Sequence, residues 1–174
     1  MAKKSFLDPY AELIDKFNHR GVKYVVVGMS GINYYASDAR ETFSTQDFDI
    51  FIKPTLTNLK KTIAIFKEVG YSLLANGRGV KEDLLKDIVR QKQAIVATNI
   101  YGVMFELLLA VSGYTFSQME GDAVIFDTEG VSVKVASLNK LLGSKRIAGR
   151  EKDKLFLKRF NILLEEKARK GKRA

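Results

Sequence analysis

The sequence predicts an α/β fold in which a small mixed β-sheet is flanked by helices and further helices follow at the C-terminus. Short runs of β-branched and aromatic residues alternate along the chain with segments whose apolar residues recur at i, i+3, i+4 and i+7. The first pattern is typical of buried strands and the second of amphipathic helices. Apolar residues make up 46% of the 174 residues, which is enough for one hydrophobic core.

The N-terminal part is predicted to contain a helix, a strand and a short second helix. Asp8 can cap the first helix, and Pro9 fits its first turn. The apolar stripe of that helix consists of Tyr10, Leu13, Ile14 and Phe17. Residues 22–27 are nearly all β-branched or aromatic, so they predict a buried strand, and this strand ends at Gly28. A short helix over residues 32–36 follows.

Strands and helices continue to alternate through the rest of the chain. The predicted strands are 47–53, 71–74, 95–98, 103–109, 123–126 and 131–135, and the predicted helices are 55–69 and 82–91. We expect a flexible loop at 75–79 and a turn at 127–130. Ser137 is expected to cap a helix, and a last helix begins near Arg150.

Two acidic residues in the second predicted strand indicate a metal site. Successive side chains of a strand point to opposite faces, so Asp47 and Asp49 share one face and Phe48 faces the other way. Gly28 ends the preceding strand, and a glycine there permits a tight turn and a close backbone approach. Carboxylates on one face beside a glycine turn can hold a divalent cation against a polyphosphate.

Glu106 is the only charged residue in the predicted strand 103–109. A carboxylate buried without a partner is costly, so Glu106 is expected either to bind a metal ion or to pair with a lysine or arginine. Lys145 is likewise a charged residue among apolar ones, because it takes the fourth position of the apolar stripe that begins with Leu138, Leu141 and Leu142. Its ammonium group must reach solvent or meet an anion.

The net charge of +9 belongs entirely to the C-terminal segment. Residues 1–137 carry 16 basic and 16 acidic residues, whereas residues 138–174 carry 13 basic and 4 acidic residues. Such an asymmetry indicates either a polyanionic partner or a solvated helix face with a frayed end. The chain has no cysteine, no apolar run long enough to span a membrane and no signal-peptide pattern, so a cytoplasmic location without membrane contact is expected.

These motifs resemble the nucleotidyltransferase superfamily that includes DNA polymerase β. Its signature is a hydrophobic strand, Gly-Gly or Gly-Ser, a spacer, and then Asp-hydrophobic-Asp. Gly28 and Ser30 stand for the glycine turn here, and Asp47-Phe48-Asp49 stands for the acid pair. Met29 departs from the pattern, because it occupies a position where the family usually has Gly or Ser.

A second motif resembles the small nucleotidyltransferases of the abortive-infection type IV toxin group. That group carries a helix with a lysine, then Arg-x-Lys-Asp, then a leucine-rich helix. The matching residues here are Lys145, Arg150, Lys152 and Asp153. Phe156 departs from the pattern, because a further acid often stands at its position. The resemblance covers roughly residues 20–165 and is specific only as a set.

The resemblance implies a metal-dependent enzyme that moves a nucleoside monophosphate from an NTP, such as ATP, to an acceptor. It implies that Asp47, Asp49 and Glu106 bind Mg²⁺ or Mn²⁺, and that these acids and Lys145 are catalytic. The residues expected to bind the nucleotide are Gly28, Ser30, Gly31, Lys145, Arg150 and Asp153. We expect a catalytic core at 1–136, helices completing the nucleotide site at 137–168, and a basic tail at 169–174.

Other functions remain open at this point. Met29 and Phe156 would also fit a protein that has kept the fold and lost the chemistry, and that serves as a partner in a toxin–antitoxin-like module. The basic C-terminal segment would fit a nucleic-acid adaptor. If the chain is an enzyme, the acceptor is RNA such as tRNA, a protein hydroxyl or a small antibiotic, and the charge asymmetry favours RNA. The oligomeric state is not indicated.

Overall fold

The structure is a computed structural model that describes residues 6–36 and 42–171, with side chains as far as residue 162. The predicted α/β class is confirmed, because these residues form seven α-helices and an eight-stranded mixed sheet with helices at the C-terminus. Among the described helices, none combines the length and apolar character needed to cross a membrane.

The sheet places chain-distant strands side by side. The strands are β1 (Tyr24–Val26), β2 (Phe48–Ile52), β3 (Ser72–Ala75), β4 (Arg78–Gly79), β5 (Ile95–Thr98), β6 (Met104–Leu108), β7 (Val124–Thr128) and β8 (Val131–Val135). Their order across the sheet is β4-β3-β5-β6-β2-β1-β8-β7. The pairs β2–β6 and β1–β8 are parallel, and the other neighbours are antiparallel.

Helices cover both faces of the sheet. They are α1 (Pro9–Arg20), α2 (Gly28–Asn33), α3 (Leu56–Glu68), α4 (Leu85–Gln91), α5 (Phe116–Gly121), α6 (Leu138–Ala148) and α7 (Glu151–Gly171). A 3₁₀ turn at Glu82–Leu84 precedes α4. The side chains of Asp8 and Ser137 cap α1 and α6 as predicted, because each accepts a hydrogen bond from a backbone N–H of the first turn.

The two faces of β2 have different surroundings. Phe48 faces α1, where its ring stacks on Tyr10 with a centroid distance of 4.5 Å, and it also contacts Phe105 of β6. The opposite face carries Phe51, whose ring contacts Phe116 of α5 at 5.3 Å. Strand alternation puts Asp49 on this second face, the side on which α5 lies. The apolar core on the α1 face therefore holds β2 in register while its acids remain on the other face.

Three predictions differ from the structure in the kind of element or by more than two residues at a boundary. The predicted loop at 75–79 is a hairpin turn that leads into β4, because Asn76 and Gly77 both adopt positive φ angles (49° and 72°), as Asn-Gly does in tight hairpins. The helix predicted at 32–36 begins at Gly28 and ends at Asn33, so α2 follows β1 directly. Helix α7 continues to Gly171, beyond the predicted boundary at 168, and residues 172–174 lie outside the described part of the chain.

Candidate active site

Three carboxylates meet on one face of the sheet, where β2 and β6 run side by side. Asp49 lies directly opposite Glu106 in the parallel register, and Asp47 precedes Asp49 by two residues on the same face. One oxygen of each carboxylate lies within 4.8 Å of the others. The predicted convergence of these three acids is therefore confirmed, and the group could hold a metal ion.

Burial and the neighbouring acids disfavour the charged forms of Asp49 and Glu106. Burial, followed by the negative charges of Asp47 and Glu106, raises the pKa of Asp49 to about 8. Burial also raises the pKa of Glu106, and Asp47 adds to this shift. A bound divalent cation would offset the repulsion, because carboxylate oxygens are ligands that hard cations such as Mg²⁺, Mn²⁺ and Ca²⁺ prefer. The chemistry of this donor set therefore fits a hard cation.

Gly28 provides the space that the Asp49 side chain occupies. A Cβ atom at Gly28 would overlap Oδ2 of Asp49 and would lie 2.9 Å from its Cγ. The φ angle of Gly28 is +64°, in the left-handed region that favours glycine. A glycine is therefore required at position 28 for two reasons, the turn between β1 and α2 and the close approach of Asp49.

Ser30 holds the backbone of the acid pair. Its buried hydroxyl donates to the carbonyl oxygen of Asp47 at 3.1 Å and accepts from the backbone N–H of Asp49 at 3.2 Å. The hydroxyl is therefore engaged by backbone groups and does not point into the pocket beside the acids. This placement changes the expected role of Ser30 from a nucleotide ligand to a residue that positions Asp47 and Asp49.

Gly31 is likewise a packing residue. A Cβ atom there would lie 3.2 Å from Cδ1 of Leu141 on α6 and 3.2 Å from the carbonyl oxygen of Val26. The absent side chain lets α2 approach α6, so Gly31 does not take the expected place in a phosphate loop. Met29, the residue that departs from the family pattern, lines the pocket instead, together with Gly28.

Asp153 organises the positive side of the site. Its side chain is only 1% exposed, yet Nε of Arg150 donates to Oδ2 at 2.7 Å and Nζ of Lys145 donates to Oδ1 at 3.3 Å. Burial disfavours the charged form of Asp153, but the hydrogen bonds and charges of Arg150 and Lys145 outweigh it and hold its pKa below the usual range. Asp153 therefore fixes the two cations through its carboxylate.

Phe156 completes the support of Lys145. Nζ of Lys145 lies 4.9 Å from the centroid of the Phe156 ring, a distance at which a cation and an aromatic face attract. The same ring packs edge-on against Phe43 at 4.7 Å and is buried. Phe156 stands at the position where the resembling group often has an acid. Here its ring and the carboxylate of Asp153 hold Lys145 between them.

These groups line one cavity of about 500 Å³, which we call the acid pocket. The sheet contributes Asp47, Asp49 and Glu106, and the C-terminal helices and the turn between them contribute Lys145, Arg150, Lys152 and Asp153. Lys145 therefore reaches the same opening as the acids, as predicted. Its charge lowers the pKa of Asp49, in opposition to burial and to the other acids, which shows that the two halves of the pocket act on each other electrostatically.

Four residues with hydroxyl groups line the acid pocket but were not predicted from the sequence. They are Ser44, Thr45, Ser112 and Ser144. Thr45 had a local signal, because it precedes Asp47 by two residues and its Oγ1 donates to the carbonyl oxygen of Asp47 at 2.9 Å. Ser112 and Ser144 had no such signal, since they come from the segment after β6 and from the polar side of α6. The packing of α6 against the sheet brings Ser144 to the site, and the path of the chain after β6 brings Ser112 there.

Comparisons with known proteins do not assign the chain to a family. A scan against models of protein families finds no match, and no curated protein is significantly similar to the chain. The resemblance to nucleotidyltransferases therefore rests on the sequence motifs alone.

Proposed function

We propose that this protein is a metal-dependent nucleotidyltransferase, which moves a nucleoside monophosphate from an NTP to a hydroxyl group of an acceptor. One observation carries the proposal: three convergent carboxylates and two cations fixed by a buried aspartate line the same cavity of about 500 Å³. A volume of this size falls within the usual range for pockets that bind small molecules, which begins at about 300 Å³.

The acids would hold Mg²⁺ or Mn²⁺, and the cations would hold the triphosphate. Bound there, a divalent cation supplies Lewis-acid chemistry that makes the attacking hydroxyl more acidic and neutralises charge on the leaving pyrophosphate. In the reaction, the acceptor oxygen forms a bond to the α-phosphorus, and the bond from this phosphorus to the bridging oxygen breaks. Pyrophosphate leaves, and the hydroxyl proton passes to solvent.

Lys145 and Arg150 would stabilise the negative charge that spreads over the phosphoryl oxygens. Asp153 keeps Lys145 in place before the nucleotide arrives, since its carboxylate is buried and fixed. A cation that needs no reorganisation during the reaction stabilises the transition state more effectively than a mobile one. Ser30 would act indirectly, because its hydrogen bonds fix the backbone of Asp47 and Asp49 relative to α2.

The direct test is a transfer assay with each of the four NTPs labelled at the α-phosphate. The protein is incubated with cell extract and Mg²⁺ or Mn²⁺, and we expect label to enter an acceptor fraction only when metal is present. Asp47→Asn should abolish the transfer, because it removes one carboxylate of the cluster. The matched control is Asp127→Asn, which makes the same change at an exposed residue of β7 and should leave transfer unchanged.

Two outcomes would contradict this proposal. If the protein binds metal and nucleotide but none of the four NTPs labels an acceptor, the result would favour the alternative of a binding protein that has lost the chemistry. Failure of metal and NTP to raise the melting temperature at all would remove the nucleotide site itself, since a ligand that binds only the folded state must stabilise it.

Lys145→Met is expected to weaken NTP binding about 10- to 100-fold, the range for losing a hydrogen bond between charged groups. Methionine keeps most of the apolar stem against Phe156 and removes the charge, so the fold should persist with Asp153 still bound by Arg150. The measurement is isothermal titration with MnATP, together with a melting curve.

The control for this variant is Lys140→Met, which lies on the same helix and removes a lysine that pairs with Asp122. Its NTP affinity should equal that of the unmodified protein. If Lys145→Met binds NTP as tightly as this control does, Lys145 takes no part in nucleotide binding and its ammonium group merely reaches solvent.

A further inference from the structure

A second cavity adjoins the acid pocket at the start of β2. It has a volume of about 270 Å³, and it shares Thr45 and Asp47 with the acid pocket. Phe48 also lines it, so it reaches the face of the sheet on which α1 packs. We call it the aromatic cavity. Its volume lies just below the range of about 300–1,000 Å³ for drug-sized ligands, so it fits a small molecule or one ring of a larger one.

Three aromatic rings shape this cavity. Phe48 and Tyr10 stack with a centroid distance of 4.5 Å and an interplanar angle of 14°, and Tyr34 meets Phe48 edge-on at 6.4 Å. Tyr34 is further held by Phe126, whose centroid lies 5.5 Å away. Burial raises the pKa of Tyr34 to about 12 and also raises that of Tyr10, so both rings stay neutral at physiological pH. The contacts between the rings hold these aromatic walls in place.

The charges in the aromatic cavity are of one sign. Asp8 and Asp47 line it, and within residues 6–36 and 42–162 no lysine or arginine does so. Asp8 caps α1 by accepting from the backbone N–H of Tyr10 through Oδ1 at 2.8 Å, so the cap uses one of its two carboxylate oxygens. A further acid is close by, because Glu129 accepts from the backbone N–H of Leu7, the residue before Asp8, at 3.3 Å.

The aromatic cavity is lined by three aromatic rings, by the neutral polar side chains of Ser30, Asn33, Thr45 and Thr128, and by charges that are only acidic, a combination that favours a cationic ligand over an anionic one. Aromatic faces attract ammonium groups, and recognition of quaternary ammonium ligands by aromatic cages is the best-known use of this interaction. The same acids would repel the phosphates of a nucleic acid at the point where the cavity meets Asp47. The acid pocket differs sharply, since lysines and arginine line it together with the acids.

We infer that the aromatic cavity binds the acceptor of the transfer reaction, and that this acceptor is a small alcohol that carries an ammonium group. The ammonium group would lie against Tyr10 and Tyr34 near Asp8, and the hydroxyl group would point to Asp47, which the two cavities share. The inference rests on the proposed function, and it names the class of molecule whose hydroxyl oxygen forms the new bond to the α-phosphorus.

The test uses choline and its neutral isostere 3,3-dimethylbutan-1-ol, which have the same shape and the same hydroxyl group but differ in charge. Binding to the full chain is followed by saturation-transfer NMR on the methyl signals and by titration. We expect choline to bind about tenfold or more tightly than the isostere, because only choline gains the cation–π attraction and the charge of the acids.

Asp8→Asn is the variant that isolates the charge. Asparagine caps helices as well as aspartate does, so α1 should remain stable while the cavity loses one negative charge. We expect choline to bind several-fold more weakly to this variant and the isostere to bind as before. The control is Asp15→Asn, which removes the same charge from α1 outside the cavity and should change neither affinity.

Three results would overturn the inference. These are equal affinities for choline and the isostere, a choline affinity unchanged in Asp8→Asn, and no saturation transfer to choline at tens of millimolar. Loss of tRNA binding in Asp8→Asn, with tRNA binding to Asp15→Asn unchanged, would also overturn it, and would assign the site to a nucleic-acid acceptor. Binding of MnATP is measured separately in the same samples, so loss of the nucleotide site and loss of the acceptor site are distinguished.

Discussion

Asp49→Asn is expected to stabilise the metal-free fold and at the same time to abolish nucleotide transfer. In the unmodified protein the pKa of Asp49 is about 8, compared with an ordinary value of 3.8. Ionising this residue in the folded protein therefore costs on the order of 5 kcal/mol, because each pH unit corresponds to about 1.36 kcal/mol. An asparagine has no charge to ionise, and its amide can donate to the carboxylate of Glu106, its partner in register.

The expected size of this effect is measurable by thermal unfolding in EDTA at pH 8. For a domain of this length, 1 kcal/mol shifts the melting temperature by about 2–4 °C, so an increase of several degrees is expected for Asp49→Asn. The same variant should lose about a thousandfold or more in transfer rate, since a lost metal ligand removes several kcal/mol of transition-state stabilisation. A variant that is both less stable and fully active would contradict the assignment of Asp49.

The pH dependence of stability provides an independent check. Because the pKa of Asp49 is higher in the folded than in the unfolded chain, the folded state binds a proton more tightly, and stability falls as pH rises from about 4 to about 8. The raised pKa of Glu106 acts in the same direction. In Asp49→Asn this fall should be much smaller, and Mg²⁺ or Mn²⁺ should reverse it in the unmodified protein by binding the ionised acids.

Gly28→Ala is expected to weaken metal binding strongly at a modest cost in stability. The new methyl group would overlap Oδ2 of Asp49, so the carboxylate must move out of the cluster. Displacing a group that orients a metal site typically costs about 10- to 100-fold in metal affinity, and Asp49 is itself expected to be a ligand, so the loss should reach the upper end of that range. Titration with Mn²⁺ measures it directly.

Gly77→Ala is a matched control for this variant. Gly77 also has a positive φ angle, +72°, but a Cβ atom there would meet nothing within 4 Å. Both variants therefore place an alanine in the left-handed conformation, which lowers the free energy of unfolding by about 1–2 kcal/mol. Only Gly28→Ala also disturbs Asp49. If both variants bind Mn²⁺ with the affinity of the unmodified protein, the close approach of Gly28 and Asp49 has no functional role.

Local rules were sufficient to predict one half of the site. The period of two along a strand puts Asp47 and Asp49 on one face, whatever the rest of the chain does, and the glycine after β1 follows from the turn it must make. The helical period of α6 likewise indicated that Lys145 needs an anion. These residues could be chosen from the sequence because each is conspicuous within its own element.

The other half of the site depended on contacts between distant elements. Sequence periodicity does not determine which strands are neighbours, so only the parallel pairing of β2 with β6 sets Glu106 opposite Asp49. The burial of Asp153 between Lys145 and Arg150 depends on how α7 packs on α6, and this packing lets Asp153 position the two cations. Ser30 and Gly31 changed role for the same reason, since their partners lie on β2 and α6.

The sequence by itself thus determined the α/β class, the acid pair, the glycine turn and the lysine that requires an anion, because each follows from the short-range geometry of one strand, turn or helix. The resemblance implied that these groups share one site with Glu106, and the tertiary structure located that site where β2 pairs with β6. The tertiary structure alone decided that an acidic aromatic cavity adjoins it at Asp47. Its rings come from α1, β2 and the end of α2. No local pattern links these elements, and only the packing of the core brings them together.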